Sequence, residues 1–303
     1  MKNLKKSLGV LFVIAMLFAF VGCSKENVED QNTTTITETS SEAATTEAAT
    51  EEATEATTDL SGTVAVSGST SVEKIGTAEA EEFMALNPNV TVTYESIGSS
   101  AGIKNAHENV TPIGTSSREL KEEEKGWGMK EVVIAYDGIA AIVHPTSGVA
   151  GLTKEQLLGI YNGTIKNWSE VGGADNAIVV VSREDGSGTR DAFEELVGYK
   201  DALTADALIA EGNGNVQTTV AGNPQAIGYV SVTFLDETVK ALPIDSVEPT
   251  IENVLNSTYT ISRPFLMVYH EENMNDATNA FIDFILSDEG QAIVSEKGGI
   301  PLK

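Results

Sequence analysis

The stretch from Ile178 to Phe193, IVVVSREDGSGTRDAF, constrains this chain more than any other, because it runs from a buried-strand pattern into a helical one through a loop of glycines and hydroxyls. Ile178 to Val181 are apolar and mostly β-branched, as in a buried strand, and a helical pattern begins at Asp191 and continues to Val197. Arg183 to Thr189 is then the connecting loop, carrying a cation, two carboxylates, two hydroxyls and two glycines. A helix N-terminus leaves backbone N–H groups without partners and bears partial positive charge, while Gly186 and Gly188 permit close approach of the backbone, so such a loop is an anion seat. Arg183 has the fork to grip an oxyanion, and Asp185 can either hold that guanidinium or accept a proton from the ligand. The loop lacks the lysine of a nucleotide-triphosphate loop. Taken alone, Ser187 or Thr189 could merely cap a helix.

Repetition separates these readings. Thr63 to Val66 reads as a strand entering Ser67-Gly68-Ser69-Thr70-Ser71 and then a helix from Val72 to Leu86. Val90 to Tyr94 enters Gly98-Ser99-Ser100-Ala101-Gly102 and a helix through His107. Val110 to Gly114 enters Thr115-Ser116-Ser117 and a charged helix, RELKEEEK, for which Ser116 and Glu119 fit a reciprocal capping box. Further on, Glu131 to Val143 reads as one or two buried strands, and Thr153 to Gly163 as a helix boxed by Thr153 and Gln156. Helices continue from Asp191 through Glu211, and another spans Asn213 to Ala221. Ala226 to Val232 and Arg263 to His270 are strands, and Asp276 to Lys297 holds two helices. This alternation predicts an α/β fold with a parallel sheet. Ligands in such sheets sit beyond the carboxyl ends of strands, where each of these hydroxyl-rich loops falls, so the loops predict one shared site.

A formal net charge of −26 argues against nucleic acid or an anionic membrane surface as partner. Cys23 is the single cysteine, which rules out an intrachain disulfide, and with three histidines it shows no metal-ligand spacing; no metal and no cofactor is expected. Lys2, Lys5 and Lys6 precede an apolar run from Leu8 to Val21, a secretory-signal pattern over residues 1–22. Phe20-Val21-Gly22-Cys23 resembles a bacterial lipobox, which implies lipid on Cys23 and a membrane anchor. Residues 23–61, rich in Thr, Glu and Ala, are then an acidic tether too poor in apolar surface to fold. Trp127 and Trp168 are read as packing anchors. Gly98 to Gly102 also satisfies G-x-S-x-G, which leaves a remote serine-hydrolase alternative with Ser100 as nucleophile and His144 or His270 as base.

The succession SGSTS, IGSSAGIK, IGTSSRELKEEE, IAYDGIAAIVHP, LTKEQLLGIYNGTIKNWSEVGG, REDGSGTRDAF and QAIGYVSV resembles the phosphate-binding lipoproteins of ABC phosphate importers, from about Val64 to the terminal GGIPL. The resemblance implies a two-domain, type II periplasmic-binding-protein-like fold with a hinged cleft. Residues 62–143 with 259–303 would form one domain and 144–258 the other. It implies that Thr70, the Ser71 backbone, Ser99 and Ser117 contact phosphate from the first, and Arg183, Ser187, Gly188 and Thr189 from the second, with Asp185 holding Arg183. The partners it implies are inorganic phosphate and permease subunits served by a cytoplasmic ATPase. Some family members carry Asp where this chain has Ser117; a hydroxyl both donates and accepts, so it penalises sulfate less. Capture of another tetrahedral oxyanion, sulfate or molybdate, and a surface sensing or adhesion role are the alternatives.

Overall fold

Thr63 and Ala65 alternate with the buried Val64 and Val66, and this period of two makes β1 (Gly62–Gly68) the start of a sheet in the computed structural model, which describes residues 60–302. The expected leader, Cys23 and nearly all of the expected tether lie outside the described residues. The first half continues through α1 (Glu73–Leu86), β2 (Val90–Ser96), α2 (Ser99–His107), β3 (Ile113–Ser116) and α3 (Glu122–Lys125). A single 14-residue strand, β4 (Lys130–Val143), follows. Then come α4 (Lys154–Tyr161), β5 (Val179–Arg183), α5 (Gly188–Val197), β6 (Leu208–Ala210), α6 (Gly212–Ala221), β7 (Ala226–Ser231), β8 (Lys240–Ala241) and α7 (Ile251–Leu255). The chain ends through β9 (Ser262–Tyr269), α8 (Asp276–Leu286) and α9 (Asp288–Glu296). Among the described residues no helix is long and apolar enough to cross a membrane.

The sheet is mixed rather than parallel. Its order is β2-β1-β3-β9-β4-β7-β5-β6, with β8 beside β4. β2, β1 and β3 are parallel, as are β7, β5 and β6, but β9 and β4 run antiparallel to their neighbours between the two sets. β4 pairs with β9 over Lys130 to Gly138 and with β7 over Ile139 to Val143, so it passes from one parallel set to the other. A central pair of this kind escapes a reading based on strand–helix alternation, since neither strand is set apart by its own composition.

Apolar packing follows the same division. Val64, Val66, Phe83, Phe265 and Phe281 belong to one buried cluster, and Ile139, Tyr161, Phe193, Tyr229 and Tyr259 to another. Trp168 packs in the second, its indole N–H donating to the Gln225 carbonyl at 2.9 Å, and Trp127 stacks on His107 at 4.3 Å.

Local signals succeed where one residue's chemistry decides the structure. Thr153 caps α4 and Gln156 reaches back to the Thr153 N–H at 2.8 Å, as its spacing predicts. The Ser116–Glu119 box does not form. Ser116 ends β3 and its hydroxyl turns onto Arg118, while the helix waits until Glu122, where the Glu124 carboxylate takes the Lys121 N–H at 2.8 Å. The helices expected through Glu211 stop at Val197, because Gly198 adopts a left-handed φ of 98° and ends α5; Leu208 to Ala210 pair with β5 instead.

One buried group works against this fold. Glu79 on α1 has no exposed surface, and neither carboxylate oxygen has a hydrogen-bond partner among the described residues. Burial pushes its carboxyl well above the ordinary range. The unfolded chain therefore ionises first, and the stability present below the unfolded value is lost as pH rises towards the folded one, at about 1.4 kcal/mol per pH unit. Replacing Glu79 with Met removes the orphaned polar group and is expected to stabilise the protein by about 1–3 kcal/mol, with a larger gain at pH 8 than at pH 4.5. Thermal melts at the two pH values check this; equal gains would remove ionisation from the account.

Candidate functional site

Arg183 closes β5 at the point where the chain turns towards α5. Its backbone is fixed from below by an aromatic cluster: Phe193 stacks on Tyr229 at 4.1 Å, and the Tyr229 hydroxyl pairs with Ser182 Oγ at 2.8 Å and accepts from the Arg183 N–H at 3.2 Å. Burial pushes the Tyr229 phenol up to about 12, so it keeps its proton. The Arg183 side chain is 1% exposed. Its Nε and Nη2 donate to the Glu184 carboxylate at 2.8 and 2.7 Å, and Nη2 also to Thr70 Oγ1 at 3.0 Å. Nη1 is buried and has no partner among the described residues.

Glu184, not Asp185, thus holds the arginine. Asp185 is 96% exposed and accepts from Arg190 Nη1 at 2.7 Å, facing away from the guanidinium it was expected to clamp. Burial opposes ionisation of Glu184, but hydrogen bonds and charge from Arg183 outweigh it and hold the carboxyl below its ordinary value.

Around Arg183 the N-termini of four helices meet. Ser71 precedes Val72, the residue that caps α1, while Ser99 opens α2, Gly188 opens α5 and Asn213 lies in the first turn of α6. Ser71 Oγ pairs with Thr189 Oγ1 at 2.9 Å and accepts from Asn213 Nδ2 at 3.0 Å. Asn213 Nδ2 also reaches Thr70 Oγ1 at 3.3 Å. Ser99 Oγ lies 3.3 Å from Ser117 Oγ and accepts the Ser117 N–H at 3.1 Å. Gly98 makes the entry to α2 possible, with a left-handed φ of 91° and its N–H on the Gly68 carbonyl at 2.8 Å. The Ser100 N–H crosses to the Gly186 carbonyl at 3.1 Å. Gly188 packs so tightly against Ser99 that a Cβ there would overlap the Ser99 hydroxyl, and it would stand 2.9 Å from Ser117 Oγ.

Thr70, Ser71, Ser99, Ser117, Arg183, Gly188 and Thr189 are therefore brought together from loops far apart in sequence. Ser187 stands beside them as the α5 cap, its Oγ accepting the Arg190 N–H at 3.3 Å, and the Ser71 N–H is engaged by Ser69 Oγ at 3.1 Å. The turn is held from behind, since the Tyr94 hydroxyl donates to the Ser69 carbonyl at 2.7 Å and the Ser69 N–H donates to Thr115 Oγ1 at 2.9 Å.

Three residues of this cluster escape sequence reasoning: Glu184, Asn213 and Arg263. Arg263, the second residue of β9, is 4% exposed and donates to Asp137 Oδ2 from Nε at 3.2 Å and Nη2 at 2.8 Å. Nη2 also reaches Ser71 Oγ at 3.2 Å, and Nη1 is buried without a partner among the described residues. Burial pushes the Asp137 carboxyl up and the Arg263 guanidinium down, each opposed by the charge of the other. The available signal was the pair of opposite charges set into otherwise apolar strands, Asp137 in EVVIAYDGIAAIV and Arg263 in SRPFLMVY.

The hydrolase arrangement is not assembled. Ser100 Oγ accepts from Arg118 Nη2 at 3.1 Å, His144 Nδ1 pairs with Thr146 Oγ1 at 2.8 Å, and His270 Nδ1 lies 3.9 Å from Glu272. Among the described residues no His/Cys/Asp/Glu group is arranged to hold a metal ion.

A family model described as the PBP superfamily domain matches residues 33–289. Phosphate-binding protein PstS of Bacillus subtilis is 35% identical over 80% of this chain and 81% of its own length, and that of Borreliella burgdorferi 33% identical over 79% and 90%. The chain belongs to the PBP superfamily and, within it, to the family of these phosphate-binding proteins. Among solved structures, a putative phosphate ABC transporter substrate-binding protein with bound phosphate from Clostridium perfringens superposes with a TM-score of 0.79 at 55% identity, covering 80% of this chain and all of that one. An ABC-type phosphate transport receptor from Vibrio cholerae superposes at 0.69 with 37% identity, over 79% of this chain. The mixed sheet with its antiparallel centre is the type II fold of the PBP superfamily, and the cluster described above draws on both parallel strand sets, Ser71 and Ser117 following β1 and β3 and Arg183 ending β5.

Proposed function

We propose that this chain captures inorganic phosphate outside the cytoplasm and delivers it to the permease of an ABC importer driven by a cytoplasmic ATPase. Residues 62–143 with 259–303 form one domain on this reading and 144–258 the other, hinged at β4 and β9 and closing over the anion. Lipid on Cys23 and the acidic tether keep the folded part near the membrane. On this reading the site binds and releases the anion without altering it, through donors and charge from Thr70, Ser71, Arg183 and Thr189. The observation that carries the reading is the buried Arg183 Nη1, unpartnered and set among four helix N-termini that all favour negative charge. The solved relative from Clostridium perfringens, with its bound phosphate, supports the choice of anion.

Calorimetric titration of the purified full chain with phosphate, sulfate, arsenate and molybdate tests it. Phosphate is expected to bind with a micromolar or lower dissociation constant, about −8 kcal/mol or better, which several charge-assisted hydrogen bonds of about 1.5–3 kcal/mol each can supply after losses. Absence of phosphate binding, or tighter binding of molybdate or sulfate, would overturn the assignment. Ser117, a hydroxyl rather than a carboxylate, is the feature that keeps sulfate in the comparison.

Closure has a latch outside the ligand cluster. Glu124 holds Arg118 through both carboxylate oxygens at 2.7 and 2.8 Å, and Arg118 Nε reaches across to Asp191 Oδ2 on α5 at 2.9 Å; Lys121 Nζ joins it at 3.0 Å. Asp191 is 29% exposed, so solvent weakens the pairing. Asp191→Asn is expected to speed phosphate release about three- to tenfold with little change in association, read by stopped-flow fluorescence. An unchanged release rate would show that these ions merely decorate the closed edge.

A further inference from the structure

We propose that Arg263 is a second ligand-binding cation and that, with Arg183, it makes the site select tetrahedral oxyanions in their dianionic form, hydrogen phosphate over dihydrogen phosphate. The inference rests on the phosphate reading above and specifies which ionic form that site takes.

The two guanidinium groups flank a single turn. Arg183 Nη2 is bonded to Thr70 Oγ1 and Arg263 Nη2 to the neighbouring Ser71 Oγ. They arrive from opposite origins, one at the end of β5 and the other at the start of β9. Each is oriented by its own carboxylate, Glu184 or Asp137, and each keeps one buried Nη1 without a partner among the described residues. A buried, charged donor left unsatisfied is costly, and a doubly charged ligand with several oxygens can answer both.

The acceptor side is equally restrictive. Both Glu184 oxygens are taken by Arg183, with Gly212 N–H adding to one; Asp137 Oδ2 is taken by Arg263 and Oδ1 by the Ser231 hydroxyl. Asp185, the remaining carboxylate of the loop, faces solvent. A proton carried by the ligand therefore meets hydroxyls, which serve a bare oxygen equally well as donors. The monoanion gains nothing from its extra proton and loses one charge opposite two guanidiniums. Arginine suits both posts because its fork spans a carboxylate and a ligand oxygen together, where the point charge of lysine does not.

The charged and titratable groups acting on Arg263 include Asp137 on β4, Arg183 at the end of β5 and Tyr229 on β7. The experiment is titration of the full chain with phosphate at intervals from about pH 5.5 to 8.5, alongside sulfate, which remains a dianion throughout. Wild-type affinity for total phosphate is expected to rise up to about tenfold per pH unit below the second ionisation of phosphoric acid and then level, while sulfate binding stays flat. Arg263→Gln is expected to weaken phosphate binding at pH 8 by about thirtyfold or more and to flatten the rise; Arg263→Lys keeps the slope with a smaller loss. Should Arg263→Gln fail to fold because Asp137 is left buried and unpaired, the double variant Asp137→Asn with Arg263→Gln replaces the ion pair by a neutral one and is expected to show the same loss. Folded variants that bind within about threefold of wild type with an unchanged slope would leave Arg263 as a brace between β4 and β9 and overturn the proposal. A wild-type chain that binds no phosphate at any pH overturns the phosphate reading instead.

Discussion

Replacing Arg183 with Ala is expected to weaken phosphate binding by about thirtyfold or more, which corresponds to at least about 2 kcal/mol and falls within the range for truncating one partner of a buried charge pair. The loss has two sources. The ligand forfeits the donor-only Nη1, which is buried and unpartnered within the chain, and Glu184 is left half-buried with its counter-charge removed, so it repels the incoming anion. Arg183→Lys is expected to recover little. A single ammonium cannot hold Glu184, reach Thr70 Oγ1 and face the ligand, which the guanidinium does through three different nitrogens. The fold is expected to survive, because the aromatic cluster beneath engages the Arg183 backbone N–H rather than its side chain. Calorimetry measures the loss and a thermal melt checks the fold; unchanged affinity in a folded variant would take Arg183 out of the site.

Much of this arrangement was legible because its parts obey local rules. Hydroxyls and glycines at the carboxyl end of a strand mark a helix entry, so Thr70, Ser71, Ser99, Arg183, Gly188 and Thr189 could be named from spacing and resemblance, and they do converge. Sequence reasoning erred where a contact depends on which of two neighbours turns inward. Glu184 and Asp185 are adjacent carboxylates; the strand direction at Arg183 sends the first back onto the guanidinium and the second out to Arg190. Asn213 was hidden because β6, only three residues long with two exposed apolar side chains, carries almost no alternation to reveal it as a strand. Arg263 was hidden for a different reason. It meets Asp137 through the antiparallel register of β4 and β9, a pairing 126 residues apart that no local pattern encodes.

Gly188→Ala is expected to abolish tight phosphate binding, by about a hundredfold or more, while leaving each half of the protein folded. The residue begins α5 with ordinary helical geometry, where alanine is the better helix former, so the local helix gains rather than loses. The added methyl, however, would stand 2.8 Å from Ser99 Cβ and 2.9 Å from Ser117 Oγ, and would overlap the Ser99 hydroxyl. Ser99 is fixed as the first residue of α2 and Ser117 hangs from the end of β3, both on the opposite side of the cluster from α5. Neither can retreat without breaking the hydrogen bond from the Ser117 N–H to Ser99 Oγ, so the two sides must part. That separation would stretch the Ser100 N–H to Gly186 contact and the Ser71–Thr189 pair, and it would admit water around Arg183. Water raises the local dielectric and weakens every charged contact to the anion together, which is why one methyl is expected to cost more than one lost hydrogen bond. A melting temperature equal to or above that of wild type, with phosphate affinity lost and a larger radius of gyration in solution scattering at saturating phosphate, is the expected combination. Retained affinity would mean that Ser99 and Ser117 do not close against α5 around the ligand.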